Sequence, residues 1–109
     1  MSKINFSRHF MQDRADRYIF IAQTVGFGEV VHTHQVHTTK GSGYVEITTS
    51  GLVIVRGDDE TVITMYLASF AEIKRYYEEK RVHREVELAA KRNERKGYIE
   101  KQNHAARGY

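Results

Sequence analysis

The 109-residue sequence predicts an α+β fold: an N-terminal helix, a four-stranded antiparallel meander sheet and a long basic C-terminal helix. Three observations carry that expectation. Apolar residues recur at helical spacing from Met11 to Val25, and β-branched runs fill the middle of the chain. A Ser69-x-x-Glu72 signature then opens a charged helical run.

The first helix is expected from Ser7, whose hydroxyl suits an N-cap. Phe6 and Met11 flank it at the spacing of a hydrophobic staple. Met11, Ala15, Tyr18, Ala22 and Val25 form one apolar face, widened by Ile19 and Ile21. The polar run QDRADR leaves room for a break near Arg14. Gly26 and Gly28 end the helix, because glycine tolerates the left-handed conformation of a C-cap.

Alternation of β-branched residues from Glu29 to His37 reads as the first strand, and TTKGSG as a loop after it. YVEITT and LVIVR flank Ser50-Gly51, a strong hairpin signal. GDDE is a second turn and TVITMYLA a fourth strand.

From Phe70 the helix is expected to run to about Lys96, where Gly97 interrupts it. Phe70, Ile73 and Tyr77 share one face, which Lys80, Arg81 and Arg84 would continue. A weaker stripe of Val82, Val86 and Ala89 or Ala90 is rotated about the axis. Two turns should therefore pack on the sheet and the rest should leave it, a helix of roughly 40 Å at ~1.5 Å per residue. The expected organisation is a compact body over residues 1–78 and a projecting basic tail over 79–109, within one domain.

Composition narrows the function classes. The chain has no cysteine, which excludes disulfides and thiolate zinc sites. No apolar run is long enough to cross a bilayer, and MSKINFSRHF has no apolar signal core. A cytoplasmic protein without membrane contact or cofactor is expected. Net charge is +3, unevenly placed. Residues 1–68 hold six Lys/Arg against seven Asp/Glu, and residues 69–109 hold eleven against seven. A basic tail beside a near-neutral body suits a polyanionic partner, or is simply a solvated helix.

The residues with chemical potential centre on VVHTHQVH. Alternation in a strand places Val30, His32, His34 and Val36 on one face. Two imidazoles two residues apart can reach one metal ion, but a structural zinc site needs four ligands and no second pair is visible. Without metal, histidine can serve as acid or base in RNA cleavage, with a cation near the phosphate. The candidates are His32 or His34, His9, Arg56 and Lys40. Val62, Thr64 and Tyr66 should share a face of the fourth strand, with Thr64 and Tyr66 facing a phosphate or base. Equally, the histidines are inert residues of a partly solvated strand. His9 and Asp13 lie one helical turn apart, the spacing of an exposed helix pair. Of the adjacent Tyr76 and Tyr77, one should be core and the other surface. Arg81, Arg84, Lys91, Arg92, Arg95 and Lys96 are the candidate phosphate contacts of the tail.

The layout, an N-terminal SRHFMQDRADR segment before a meander ending in TVITMYLA, resembles the RelE-like and barnase-like superfamily of small bacterial and phage RNases and toxin-related proteins. Ser7, His9 and Arg17 fit its opening pattern, Asp13 stands where a further arginine is expected, and Thr64 fits the closing strand. The resemblance covers about residues 5–68. It implies RNA as substrate and His9, Thr64 and Arg56 as site residues. Two functions follow from the whole. One is a non-catalytic binding module that engages a protein or nucleic acid, RNA before DNA, through the sheet and the C-terminal helix, which also offers a homo-oligomer contact. The other is a metal-independent RNase using the strand histidines, and a histidine–metal protein stands beside them.

Overall fold

The computed structural model describes residues 8–38, 41–77 and 83–106, of which 8–14, 38 and 104–106 are described in their backbone alone. The chain runs α1 (Arg8–Thr24), β1 (Val30–Thr38), β2 (Gly41–Thr48), β3 (Leu52–Gly57), β4 (Val62–Leu67), α2 (Phe70–Tyr77), α3 (Arg84–Arg95) and α4 (Tyr98–Ala106). The four strands form one antiparallel sheet in the order β1-β2-β3-β4, the expected meander.

Helix α1 begins at Arg8, one residue after the expected cap; Ser7 itself, with the Phe6 staple, lies outside the described residues. It buries Ile21 fully, with Tyr18, Phe20 and Val25 beside it, and leaves Ile19 48% exposed. Ala22, expected on the apolar face, is exposed. Arg17 takes part in that inner side, donating from Nη1 to the carbonyl of Met65 at 3.2 Å. The polar run thus supplies a strand contact rather than a break, and the helix is continuous.

The β2–β3 turn is one residue longer than a Ser50-Gly51 loop. Gly51 N–H donates to Thr48 O at 3.0 Å, and Gly51 then takes φ +79°. That is a turn closed by a left-handed residue, which glycine adopts without strain. Strands β1 and β2 also run further than expected, to Thr38 and from Gly41, so most of the TTKGSG loop is strand. Two bulges alter which side chains share a face. Val31 is extra between the Val30–Thr48 and His32–Ile47 pairs, so Val31 meets the core and Val30 stays 46% exposed. Ile63 is extra between Val55–Thr64 and Arg56–Val62, which turns Val62 to the face opposite Thr64 and Tyr66.

The sheet is the middle of three layers. One face packs Val45, Ile47 and Val53 against Ile73 and Tyr77 of α2 and Val86 and Ala90 of α3. The other packs Leu52, Ile54, Val62, Met65 and Leu67 against Ile21 of α1, with Tyr98 and Ile99 of α4. Burial of such side chains contributes about 1.5–3 kcal/mol each, before the entropy of ordering is set against it.

The long C-terminal helix is replaced by three short ones, and the segment expected to project is packed on the sheet. The rotated stripes explain the break. At 100° per residue, Ile73–Tyr77 and Val86–Ala90 would face nearly opposite ways on one straight helix. Interrupting the helix lets both stripes reach the core. Helix α3 restarts at a His83 N-cap, whose Nδ1 accepts from the Glu85 amide at 3.3 Å. Gly97, at φ +71°, then turns the chain into α4. Two buried amides fix the result. Asn93 Nδ2 donates to Ser50 O at 2.9 Å, and Gln102 bonds both backbone groups of Leu67.

Candidate functional sites: a histidine–tyrosine cluster and an arginine-lined helix

Strand β1 places His32 and His34 on the face that α2 covers. The ladder sets them in two cross-sheet rows, His32–Ile47–Val53–Tyr66 and His34–Val45–Val55–Thr64. Helix α2 crosses above. Its Ser69 cap accepts from the Glu72 amide at 3.2 Å, the expected start signal. From there Tyr77 lies on His32, with ring centroids 4.4 Å apart, and Tyr76 on His34, at 5.5 Å. His32 Nε2 and His34 Nδ1 are 2.9 Å apart. The Tyr76 and Tyr66 hydroxyls are 2.6 Å apart. Both adjacent tyrosines therefore serve the interior: Tyr77 is buried and Tyr76 half-buried.

Burial raises the pKa of the Tyr66 hydroxyl well above its ordinary value, and its bond to Tyr76 adds to the shift. Burial raises that of Tyr77 as well, opposed by the backbone of His83. Both phenols are therefore neutral at neutral pH. They hold the histidine face against α2 rather than supplying charge to it.

The RNase set does not assemble around this cluster. Thr64 shares a row with His34, but three strand spacings separate them, about 14 Å. Arg56 points to the other face and is 3% exposed. Its Nε donates to Glu46 Oε1 at 2.6 Å and its Nη1 to Glu60 O at 2.9 Å. That guanidinium is committed to holding β2 and the β3–β4 turn, including Glu60 at φ +67°. His9 lies on α1, which packs beside β4 on the face opposite the histidine strand. The His9 and Asp13 side chains, Lys40 and Arg81 lie outside the described residues.

A cleft of about 750 Å³ opens on the uncovered half of that opposite face, between β1–β2 and the β3–β4 turn. Thr33, Gln35, His37 and Tyr44 line it, with Asp58 and Glu60 at its rim. Burial raises the pKa of Tyr44, with the Arg56 charge opposing.

The other candidate surface is the outside of α3. Val86, Ala89, Ala90 and Asn93 define its buried side. At 100° per residue the opposite side carries Arg84, Leu88, Lys91 and Arg95, with Arg92 and Lys96 flanking. Leu88 is 51% exposed amid these cations. Two neighbouring acids lie to one side and are engaged, Glu87 with Lys91 at 3.1 Å and Glu94 with the Phe70 amide at 3.1 Å, while Glu85 is exposed on the other side, beside Arg92. Lys91 also sits over the Phe70 ring at 4.8 Å. Among the described residues, no ion pair holds Arg84, Arg92, Arg95 or Lys96. The sequence pointed to these cations as a tail. It did not place them on the exterior of a docked helix, because the core they back onto is made by distant strands.

No family model, curated protein or solved structure matches this chain. No helix among the described residues is long and apolar enough to cross a membrane.

Proposed function

We propose that this chain is a non-catalytic binding module that engages single-stranded RNA through the outer face of α3. The observation that carries the reading is the set of Arg84, Arg92 and Arg95, none held in an ion pair among the described residues, around exposed Leu88 on a helix anchored by its opposite side. A rigid row of guanidiniums suits phosphates, which they bind bidentately and with release of counterions. The sheet plays a smaller part than expected, because its open half is rimmed by Asp58 and Glu60 and repels a polyanion. Like charges on α3 also oppose self-association through that face. The scattered positions of His34, Thr64 and Arg56 favour binding over cleavage.

The test is fluorescence anisotropy of labelled single-stranded RNA and DNA across a salt series. Each phosphate contact contributes a log–log salt slope of about −0.7 for a single strand. Joint replacement Arg84→Ala, Arg92→Ala and Arg95→Ala should flatten the slope by ~2 while the far-UV circular dichroism is kept. Unchanged binding by that variant rejects the α3 surface. RNA cleavage that disappears in His34→Ala rejects the non-catalytic reading.

A further inference from the structure

The facing histidines carry an inference beyond RNA binding. We propose that His32 Nε2 and His34 Nδ1 chelate one divalent copper ion in adjacent positions of a tetragonal site.

The separation, set by the hydrogen bond between the two rings, also fits one metal geometry. Metal–imidazole bonds are about 2.0–2.1 Å long. Two nitrogens 2.9 Å apart then subtend close to a right angle at the ion. A tetrahedral site would set them about 3.3 Å apart at the same bond length. Right-angled nitrogen pairs suit copper, whose preferred geometry is tetragonal and whose affinity for nitrogen sites exceeds that of the other first-row divalent ions. Among the described residues no third His, Cys, Asp or Glu joins the pair, so water fills the remaining positions. A two-nitrogen site of this kind binds less tightly than a closed site of four protein ligands.

The surroundings are built to hold the rings in place. Each imidazole lies against a tyrosine of α2, and the strand backbone fixes both Cα positions in one ladder. Little side-chain freedom remains to be lost on binding. In the metal-free pair, one of the two facing nitrogens carries the proton of the hydrogen bond. On chelation that proton moves through solvent to the outer nitrogen of the same ring. Both imidazoles stay neutral, both lone pairs go to the metal, and no redox step is involved.

The experiment is a titration of the full chain with a copper(II) salt at pH 7.5. It is read by tyrosine fluorescence, since there is no tryptophan, and by electron paramagnetic resonance. Wild type should take up one equivalent with axial signals split by two nitrogens, and quench the stacked Tyr76 and Tyr77. His32→Phe and His34→Phe preserve ring packing on α2 and should each weaken binding about tenfold or more, with two-nitrogen splitting lost. His37→Ala and His83→Ala should bind as wild type does. The proposal is overturned if the two Phe variants bind copper like wild type, or if wild type shows no saturable equivalent. It is overturned equally if the signal follows His37 or His83. Failure of RNA binding in the α3 variants would leave this result untouched, because the two sites share no residue.

Discussion

The side-chain amide of Gln102 pairs with both backbone groups of Leu67: Oε1 accepts from the Leu67 N–H at 2.8 Å, and Nε2 donates to its carbonyl at 2.7 Å. Helix α4 thereby supplies, at one point, the strand that the outer edge of β4 lacks. An open edge is a template for unwanted pairing, and covering it is one way proteins suppress that. Gln102 is 2% exposed, so neither bond is shared with solvent. Gln102→Ala leaves a buried donor and a buried acceptor unpaired, at about 1–3 kcal/mol each. The expected loss is about 2–6 kcal/mol in urea unfolding, with Gln102→Leu no better, because an apolar side chain satisfies neither group. A loss under about 0.5 kcal/mol would mean that water reaches the Leu67 backbone.

Truncation after Tyr77 tests the same dependence at larger scale. The sequence suggests a body that survives without its tail. In the structure Val86, Ala90 and Gln102 are buried, and Asn93 holds the carbonyl of the β2–β3 turn. Removing them strips the α3 part of the cover from Val45, Ile47 and Val53 on one face and uncovers the β4 edge on the other. The shortened chain should lose its cooperative thermal transition. A sharp transition retained by that fragment would show that α3 and α4 are accessory.

Much of this architecture is legible in the residues, and the illegible parts have a common physical cause. The Ser50-Gly51 hairpin and the Ser69–Glu72 cap are local, and both form. The rotated stripe of Val86 and Ala90 is equally visible, but its destination is set by strands some forty residues earlier. Bulges at Val31 and Ile63 have no composition of their own, so alternation misplaced Val30 and Val62. The histidine pair follows from a strand period. Its tyrosine cover and its 2.9 Å nitrogen separation do not, since they depend on where α2 lands.

The Arg56–Glu46 pair should matter to stability, not to chemistry. Removing one member of a buried pair leaves the other uncompensated, at about 3–5 kcal/mol. Glu46→Gln keeps a hydrogen-bond acceptor and should cost less than Glu46→Ala, in which Arg56 retains only the Glu60 carbonyl. Chemical unfolding of the two variants orders them. Equal losses would show that packing around Glu46, rather than charge, governs the site.

Alkaline pH supplies a separate test of the tyrosine layer. Tyr66 has a folded pKa far above the ordinary 10.0, raised by burial and then by Tyr76. Below pH 10 both folded and unfolded chains keep this proton, and its contribution is constant. Above pH 10 the unfolded chain loses the proton while the folded chain retains it. The unfolded state then binds fewer protons, so stability must fall as pH rises. Tyr77 and Tyr44 shift in the same direction and add to the slope. Guanidinium unfolding at pH 8, 9, 10 and 11 should show a plateau and then a decline, shallower in Tyr66→Phe. That variant should begin from lower stability at pH 8, since the phenol pair loses a bond of about 0.5–1.5 kcal/mol. Parallel declines in wild type and variant would mean that the Tyr66 hydroxyl titrates as a solvated phenol, and that α2 does not seal the histidine face.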